Sequence, residues 1–216
     1  MAFVNPYIAK IQWHSHIIEW TKEIASHKWK WNEYFGNNNP LRLEIWTGLW
    51  NFFSWEVPLH PDKNFIWMEI KFKRCFVTAE KTLEKWGKNF VVVKEYGQKI
   101  EDFIADGELE QTYIFFPDPW GKKERQKKHR IMQKDFLDML YRKTQNWWKL
   151  VFKTDHREYF DDTLELLKTM DNWKQSYISF DYQNESQKFD KNRLTEFEVI
   201  FHEKNICYLE LIKDEQ

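Results

Sequence analysis

The stretch Thr112-Tyr113-Ile114-Phe115-Phe116-Pro117-Asp118-Pro119-Trp120-Gly121-Lys122-Lys123 runs from an apolar, aromatic segment into a carboxylate held between two prolines. Residues of the first kind form strands, and the prolines end the strand. Each proline sets its own φ and drives the residue before it toward extended geometry, so Asp118 cannot relax into a helix. Arg125, Lys127, Lys128, His129 and Arg130 follow at once. Ligands bind at strand ends in open α/β sheets, so an acid placed there beside a cationic run reads as a site for an anionic polymer with one carboxylate kept for chemistry. The net charge over 216 residues is only −1, so positive charge is concentrated here, which suits steering toward phosphates. A solvated helix face is the competing reading of such a run.

Outward from this strand, the pattern predicts strands over 41–45, 64–68, 90–93, 112–116 and 149–153, separated by helices over 73–86, 133–144 and 158–170. That alternation implies an α/β fold, a mostly parallel sheet with helices on both faces. Two extended runs, 197–202 and 206–212, joined by a polar loop with Lys204 and Asn205, predict a C-terminal antiparallel hairpin that closes the sheet. Ile8, Ile11, Ile17, Ile18 and Ile24 have mixed helical spacing and predict an N-terminal helical arm within 1–38, ahead of one domain over 39–216.

Composition narrows the class. Cys75 and Cys207 make neither a disulfide framework nor a metal-ligand spacing, so no metal is expected. There is no charged segment followed by an apolar core at the N-terminus, and no apolar run approaches the ~20 residues that span a bilayer. A cytoplasmic protein with no membrane partner is the expectation.

The first strand leads into Leu43-Glu44-Ile45-Trp46-Thr47-Gly48-Leu49-Trp50, and Glu69 follows Gly48 by 21 residues. In nucleotide-binding α/β units an acid about 20 residues beyond the glycine turn accepts hydrogen bonds from ribose hydroxyls. Glu69 suits that role, and it suits equally well a surface pairing with Lys71 or Lys73. Glu95, just past the third strand, is placed to receive an adenine amino group.

From about residue 39 to residue 212 the chain resembles the bacterial tRNA (guanine-N7)-methyltransferases, which are Rossmann-like class I enzymes using S-adenosyl-L-methionine. The resemblance is carried by Phe116-Pro117-Asp118-Pro119-Trp120 with its basic run, Met68-Glu69-Ile70-Lys71 with Lys73-Arg74, Phe152-Lys153-Thr154-Asp155, and Thr195-Glu196-Phe197-Glu198. It implies methyl transfer to N7 of a guanine in the variable loop of tRNA, by a monomer or homodimer. Glu44, Gly48, Glu69 and Glu95 would contact the cofactor, with Tyr96 as the alternative to Glu95, and Asp118 would stand at its reactive end. Lys122, Asp155 and Thr195 to Glu198 would contact the tRNA. Phe116 or Trp120 would stack the exposed base, and Lys122, Lys123, Arg125, Lys127, Lys128 and Arg130 would meet phosphates.

The glycines depart from that family. The chain holds 6 Gly and 13 Trp, against roughly 15 Gly at an ordinary usage of about 7%. Trp46 and Trp50 stand where the family's first loop has glycine, Trp67 falls on a usual glycine before Met68-Glu69, and Trp147-Trp148 stand where the family commonly has a Gly-Gly turn into the next strand. One explanation is a gene that uses UGA for glycine, translated here with UGA read as tryptophan. The other is genuine tryptophans in a catalytically inactive, RNA-binding homologue.

Overall fold

The computed structural model describes residues 5–19, 21–45, 51–185 and 194–214. The strands are β1 (Ile17–Ile18), β2 (Leu41–Ile45), β3 (Asn64–Met68), β4 (Phe90–Val93), β5 (Leu109–Phe115), β6 (Thr144–Thr154), β7 (Trp173–Ser179) and β8 (Cys207–Lys213). They form one sheet in the order β1-β4-β3-β2-β5-β6-β8-β7. All pairs from β1 to β6 are parallel, and β8 runs antiparallel to both β6 and β7. Helices α1 (Tyr7–Ile11), α2 (Thr21–Ser26), α3 (Trp31–Phe35), α4 (Asn51–Leu59) and α5 (Phe72–Glu84) precede α6 (Ile100–Phe103), α7 (Lys134–Lys143), α8 (Arg157–Leu167), α9 (Tyr182–Glu185) and α10 (Glu196–Ile200).

The alternation of side chains along a strand divides the core between the two faces. Ile66 and Met68 of β3 join Leu43, Ile45, Phe136, Leu140 and Phe160 on one face. Phe65 and Trp67 join Phe53, Cys75, Ala79 and Phe90 on the other. Every residue of β3 and β4 is buried, as a sheet covered on both faces requires. Helix α5 buries Cys75, Thr78, Ala79 and Thr82, an apolar stripe at helical spacing. β2 lies between β3 and β5, so the winding of the chain reverses there. In doubly wound sheets the crevice at such a reversal, beyond the strand ends, is the ligand site.

Two elements differ from expectation. The C-terminal antiparallel pair is formed by β7 and β8, while 197–202 starts inside helix α10 instead of forming a strand. Thr195 Oγ1 accepts from the Glu198 N–H and the Glu198 carboxylate accepts from the Thr195 N–H, a capping box that starts a helix there. Within 7–31, Ile17–Ile18 joins the sheet edge beside β4, and Trp31 Nε1 donates to the Phe103 carbonyl at 3.0 Å.

Among the described residues, five that are not glycine have positive φ, and four of them are tryptophans: Trp29 at 68°, Trp86 at 66°, Trp120 at 43° and Trp147 at 69°. Trp86 follows the end of α5, with its N–H on the Leu83 carbonyl and the Gly87 N–H on the Thr82 carbonyl. That is a Schellman cap with an indole at the position that favours glycine. Gly36 occupies the matching position after α3, with φ 66°. Trp147 lies in a bulge where the β5–β6 register shifts. Trp148 has no positive φ, and Trp67 is a fully buried core residue beside Phe53, so neither shows a glycine's geometry. Trp46, Gly48 and Trp50 lie outside the described residues.

Candidate active site

β5 leaves the sheet at Phe116, whose N–H still bonds the Lys153 carbonyl of β6 at 2.8 Å. Phe116 and Trp120, with φ of 50° and 43°, bracket Pro117-Asp118-Pro119. Left-handed geometry at a non-glycine costs about 1–3 kcal/mol and persists only where the surroundings impose it. Here they do. Phe116 packs on Phe197 of α10 with ring centroids 5.4 Å apart, and Trp120 meets His129 at 5.4 Å. A Cβ at Gly121 would stand 2.8 Å from His156 Nε2, so the loop's far end lies flat on that ring. His156 Nδ1 accepts the Tyr159 N–H at the start of α8, which places the neutral ring's proton on Nε2.

The exposed Asp118 carboxylate has no hydrogen bond or ion pair among the described residues. It opens on a cavity of about 350 Å³, within the size range of cofactor sites. The turn after β3 contributes Glu69 and Lys71, the first turn of α5 contributes Arg74, the segment after β4 contributes Tyr96 and Gln98, and Phe116, Trp120, His129 and Phe197 also line the wall. Glu69 is 2% exposed. Its Oε1 accepts the Ile70 and Lys71 N–H groups at 2.8 and 2.9 Å, while Oε2 has the longer Arg74 contact at 3.4 Å. A carboxylate held this firmly at a strand end, opposite an exposed Tyr96 ring, fits a nucleoside with ribose hydroxyls and a flat base.

The other expected positions fall differently. Glu44 is buried in β2, in register with Trp67 and Tyr113, and is not part of the cavity wall. Glu95 accepts the Tyr96 N–H at 2.8 Å, and Tyr96, its alternative, lines the cavity. Asp155 pairs with Lys204 at the turn after β6. Thr195 and Glu198, expected on the tRNA side, are each 1% exposed. Both are committed to the capping box, and Glu198 also pairs at 2.9 Å with Lys153, whose ammonium lies 4.7 Å from the Phe115 and Tyr182 ring centres. The wall residue from that segment is Phe197. Removing one partner of a buried ion pair costs about 3–5 kcal/mol, so Glu198→Ala is expected to lower stability by that amount in thermal unfolding. An unchanged melting temperature with weaker RNA binding would instead favour a direct tRNA contact.

The basic run divides into two faces. Lys122, Lys123, Arg125 and Lys128 are exposed and make no ion pair among the described residues. Lys127 turns inward to Glu124, Glu158 and Asp162 at 3.0, 2.6 and 3.2 Å, and Arg130 is 4% exposed, so neither is free for a phosphate. Hydrogen bonding to Lys127 holds Glu158 below the usual carboxylate range. Burial raises Asp162, but the bonds from Arg130 and Lys127 outweigh it and hold it low as well. Carboxylates lowered in this way stabilise the fold above their ordinary pKa and lose that contribution as pH falls through the folded value, so the network is complete at neutral pH.

A family model described as "Putative methyltransferase" matches residues 38–210. A tRNA (guanine-N(7)-)-methyltransferase of Bacillus licheniformis is 32% identical over 94% of this chain and 91% of its own length. The chain belongs to the tRNA (guanine-N(7)-)-methyltransferase family. A bifunctional glycosyltransferase/methyltransferase of Fusobacterium nucleatum is 39% identical over 97% of this chain, which spans only 33% of that relative's length. Among solved structures, the 16S rRNA (adenine(1408)-N(1))-methyltransferase of Catenulisporales acidiphilia, determined with its cosubstrate S-adenosylmethionine, superposes with a TM-score of 0.55 at 13% identity, covering 86% of this chain and 90% of that one. At that identity the likeness concerns the fold, a class I methyltransferase sheet.

Proposed function

We propose that the chain transfers a methyl group from S-adenosyl-L-methionine to N7 of a guanine in the variable loop of tRNA. The observation that carries this reading is the Asp118 carboxylate, without a partner among the described residues, set by two prolines at the rim of a cavity that Glu69 also lines. When bound, S-adenosyl-L-methionine supplies an electrophilic methyl group on a sulfonium. Glu69 and Tyr96 would hold its nucleoside part, together with Gly48, which follows β2 in the sequence. Guanine N7 has an in-plane lone pair and no proton at neutral pH, so no base is needed to prepare it. The protein's work is orientation. Asp118 would hold the Watson–Crick edge of the purine and offset the positive charge that grows on it as N7 is alkylated. Trp120, 40% exposed, offers the surface on which an unstacked guanine can rest. Asp155 would assist on the tRNA side, and the enzyme would act in the cytoplasm as a monomer or homodimer. No helix among the described residues is long and apolar enough to cross a membrane.

The test is transfer of labelled methyl from S-adenosyl-L-methionine to an unmodified tRNA transcript, by the chain and by the chain carrying Trp46→Gly and Trp50→Gly. Labelled 7-methylguanine supports the reading. Cofactor binding with no label in tRNA would place the protein among noncatalytic RNA-binding relatives.

The exposed face of the basic run makes a separate prediction. Changing Lys122, Lys123 and Lys128 together to glutamine is expected to flatten the salt dependence of tRNA binding by about two to three units of log–log slope. Lys127→Gln is expected to leave the slope unchanged and lower stability. Equal slopes for the triple variant and the parent would make this run a solvated face.

A further inference from the structure

Among the described residues Asp118 has no hydrogen-bond or ion-pair partner to orient its side chain, so its direction depends on the backbone around it. The two prolines fix their own φ angles. They leave free the rotation that sets the peptide plane after Pro119, and through it the path from Asp118 to Trp120. One side chain meets that plane. Arg130 Nε donates to the Pro119 carbonyl at 2.6 Å, and Arg130 Nη1 donates to Asp162 Oδ2 of α8 at 2.6 Å. The guanidinium carbon lies 4.6 Å from the centre of the Tyr159 ring, and the side chain is 2% exposed. The Tyr159 hydroxyl in turn accepts the Met132 N–H at 3.0 Å, two residues beyond Arg130.

We propose that Arg130, although part of the cationic run, is a positioning residue for methyl transfer: it clamps the Pro119 carbonyl to α8 and so holds Asp118 toward the cavity. The same helix receives the loop's other end, since Gly121 lies on His156 immediately before α8. Two neighbouring points of one loop are thus held against one rigid element, one at its start through His156 and one at mid-helix through Asp162, with Asp118 just outside them. A planar guanidinium is needed because its Nε and Nη1 donate in two fixed directions at once, and an ammonium on a flexible stem does not reproduce that geometry. Burial excludes the phosphate role for this member of the run. The proposal rests on the methyltransferase reading for its catalytic part only.

The test compares the full-length chain with Arg130→Lys and Asp162→Asn. On the chain itself, tryptic cleavage after Lys122 and Lys123 reports how firmly the loop is held. Both variants are expected to be cut there at least about tenfold faster in their folded state, with cleavage elsewhere unchanged. In the more active of the two forms used for the transfer assay, both are expected to lower kcat at least about tenfold, with cofactor and tRNA affinity and the salt slope unchanged. In an Asp118→Asn background, Arg130→Lys is expected to cost almost nothing more, because it acts through Asp118. A salt slope lower by about one unit would make Arg130 an RNA contact. Unchanged loop cleavage, or losses that simply multiply with those of Asp118→Asn, would overturn the proposal. If Arg130→Lys does not fold, Asp162→Asn, which keeps the guanidinium, decides by the same readouts. Absence of transfer in the parent would count against the methyltransferase reading and leave the cleavage result to judge the clamp.

Discussion

Asp118→Asn is expected to lower methyl transfer by about 10²–10³ while leaving cofactor affinity and stability near those of the parent. Asparagine has nearly the same shape and keeps an acceptor, so what is lost is the charge that offsets the developing purine cation. Stability should change by less than about 0.5 kcal/mol, because the carboxylate is exposed and has no partner among the described residues. Cofactor affinity should hold because Glu69, the acid anchored at the end of β3, lies on a different strand. The comparison requires kcat, the cofactor dissociation constant and the melting temperature on the same preparations. Turnover within about threefold of the parent would show that the proline-framed acid has a structural role.

The second large effect concerns the tryptophans. Trp29, Trp86 and Trp147 combine φ between 66° and 69° with indoles 61% or more exposed, so their side chains gain little burial in return for a strained backbone. Left-handed geometry costs an L-residue about 1–2 kcal/mol, so Trp29→Gly, Trp86→Gly and Trp147→Gly together are expected to add about 3 kcal/mol. For a chain of this size that raises the melting temperature by roughly 6–12 °C. The family resemblance makes a separate prediction at positions outside the described residues: Trp46→Gly and Trp50→Gly are expected to restore S-adenosyl-L-methionine binding. Calorimetry on both forms checks it, and micromolar binding by the unaltered chain would refute it. The gene offers a parallel check. UGA codons are expected at 29, 46, 50, 86 and 147. UGG is expected at Trp31 and Trp173, whose buried indoles donate to the Phe103 and Leu137 carbonyls. UGG throughout would make the strained tryptophans genuine.

The parts of the fold legible in the residues are those set by local chemistry. The runs 64–68 and 90–93 coincide with β3 and β4 because strands covered on both faces read as nearly unbroken apolar stretches, and 41–45 coincides with β2 because Leu41, Leu43 and Ile45 alternate with Arg42 and Glu44. Asp118 was legible because proline acts on its immediate neighbours. β7 was not: only its two ends are buried, it pairs with β8 alone, and its exposed middle erases the alternation that marks a strand. Thr195-Glu196-Phe197-Glu198 bears a capping-box pattern, yet resemblance pointed to substrate contact, and the buried Lys153 that claims Glu198 belongs to a distant strand. Lys127 and Arg130 cannot be told from their exposed neighbours along the chain. Their inward direction follows from acids on α8, some thirty residues away, which only the fold brings to them. Tyr96 and Gln98, from the segment after β4, and Phe197 of α10 likewise acquire their place on the cavity wall only through the fold.

The most direct measurement of the central claim is the position of the transferred methyl group. An unmodified tRNA transcript is labelled from S-adenosyl-L-methionine by the chain carrying Trp46→Gly and Trp50→Gly, cleaved chemically at 7-methylguanosine, and the fragments are sized. A single cut at one variable-loop guanine, absent with Asp118→Asn, is the predicted result. Label at another atom or nucleotide, or equal label with Asp118→Asn, would contradict the account.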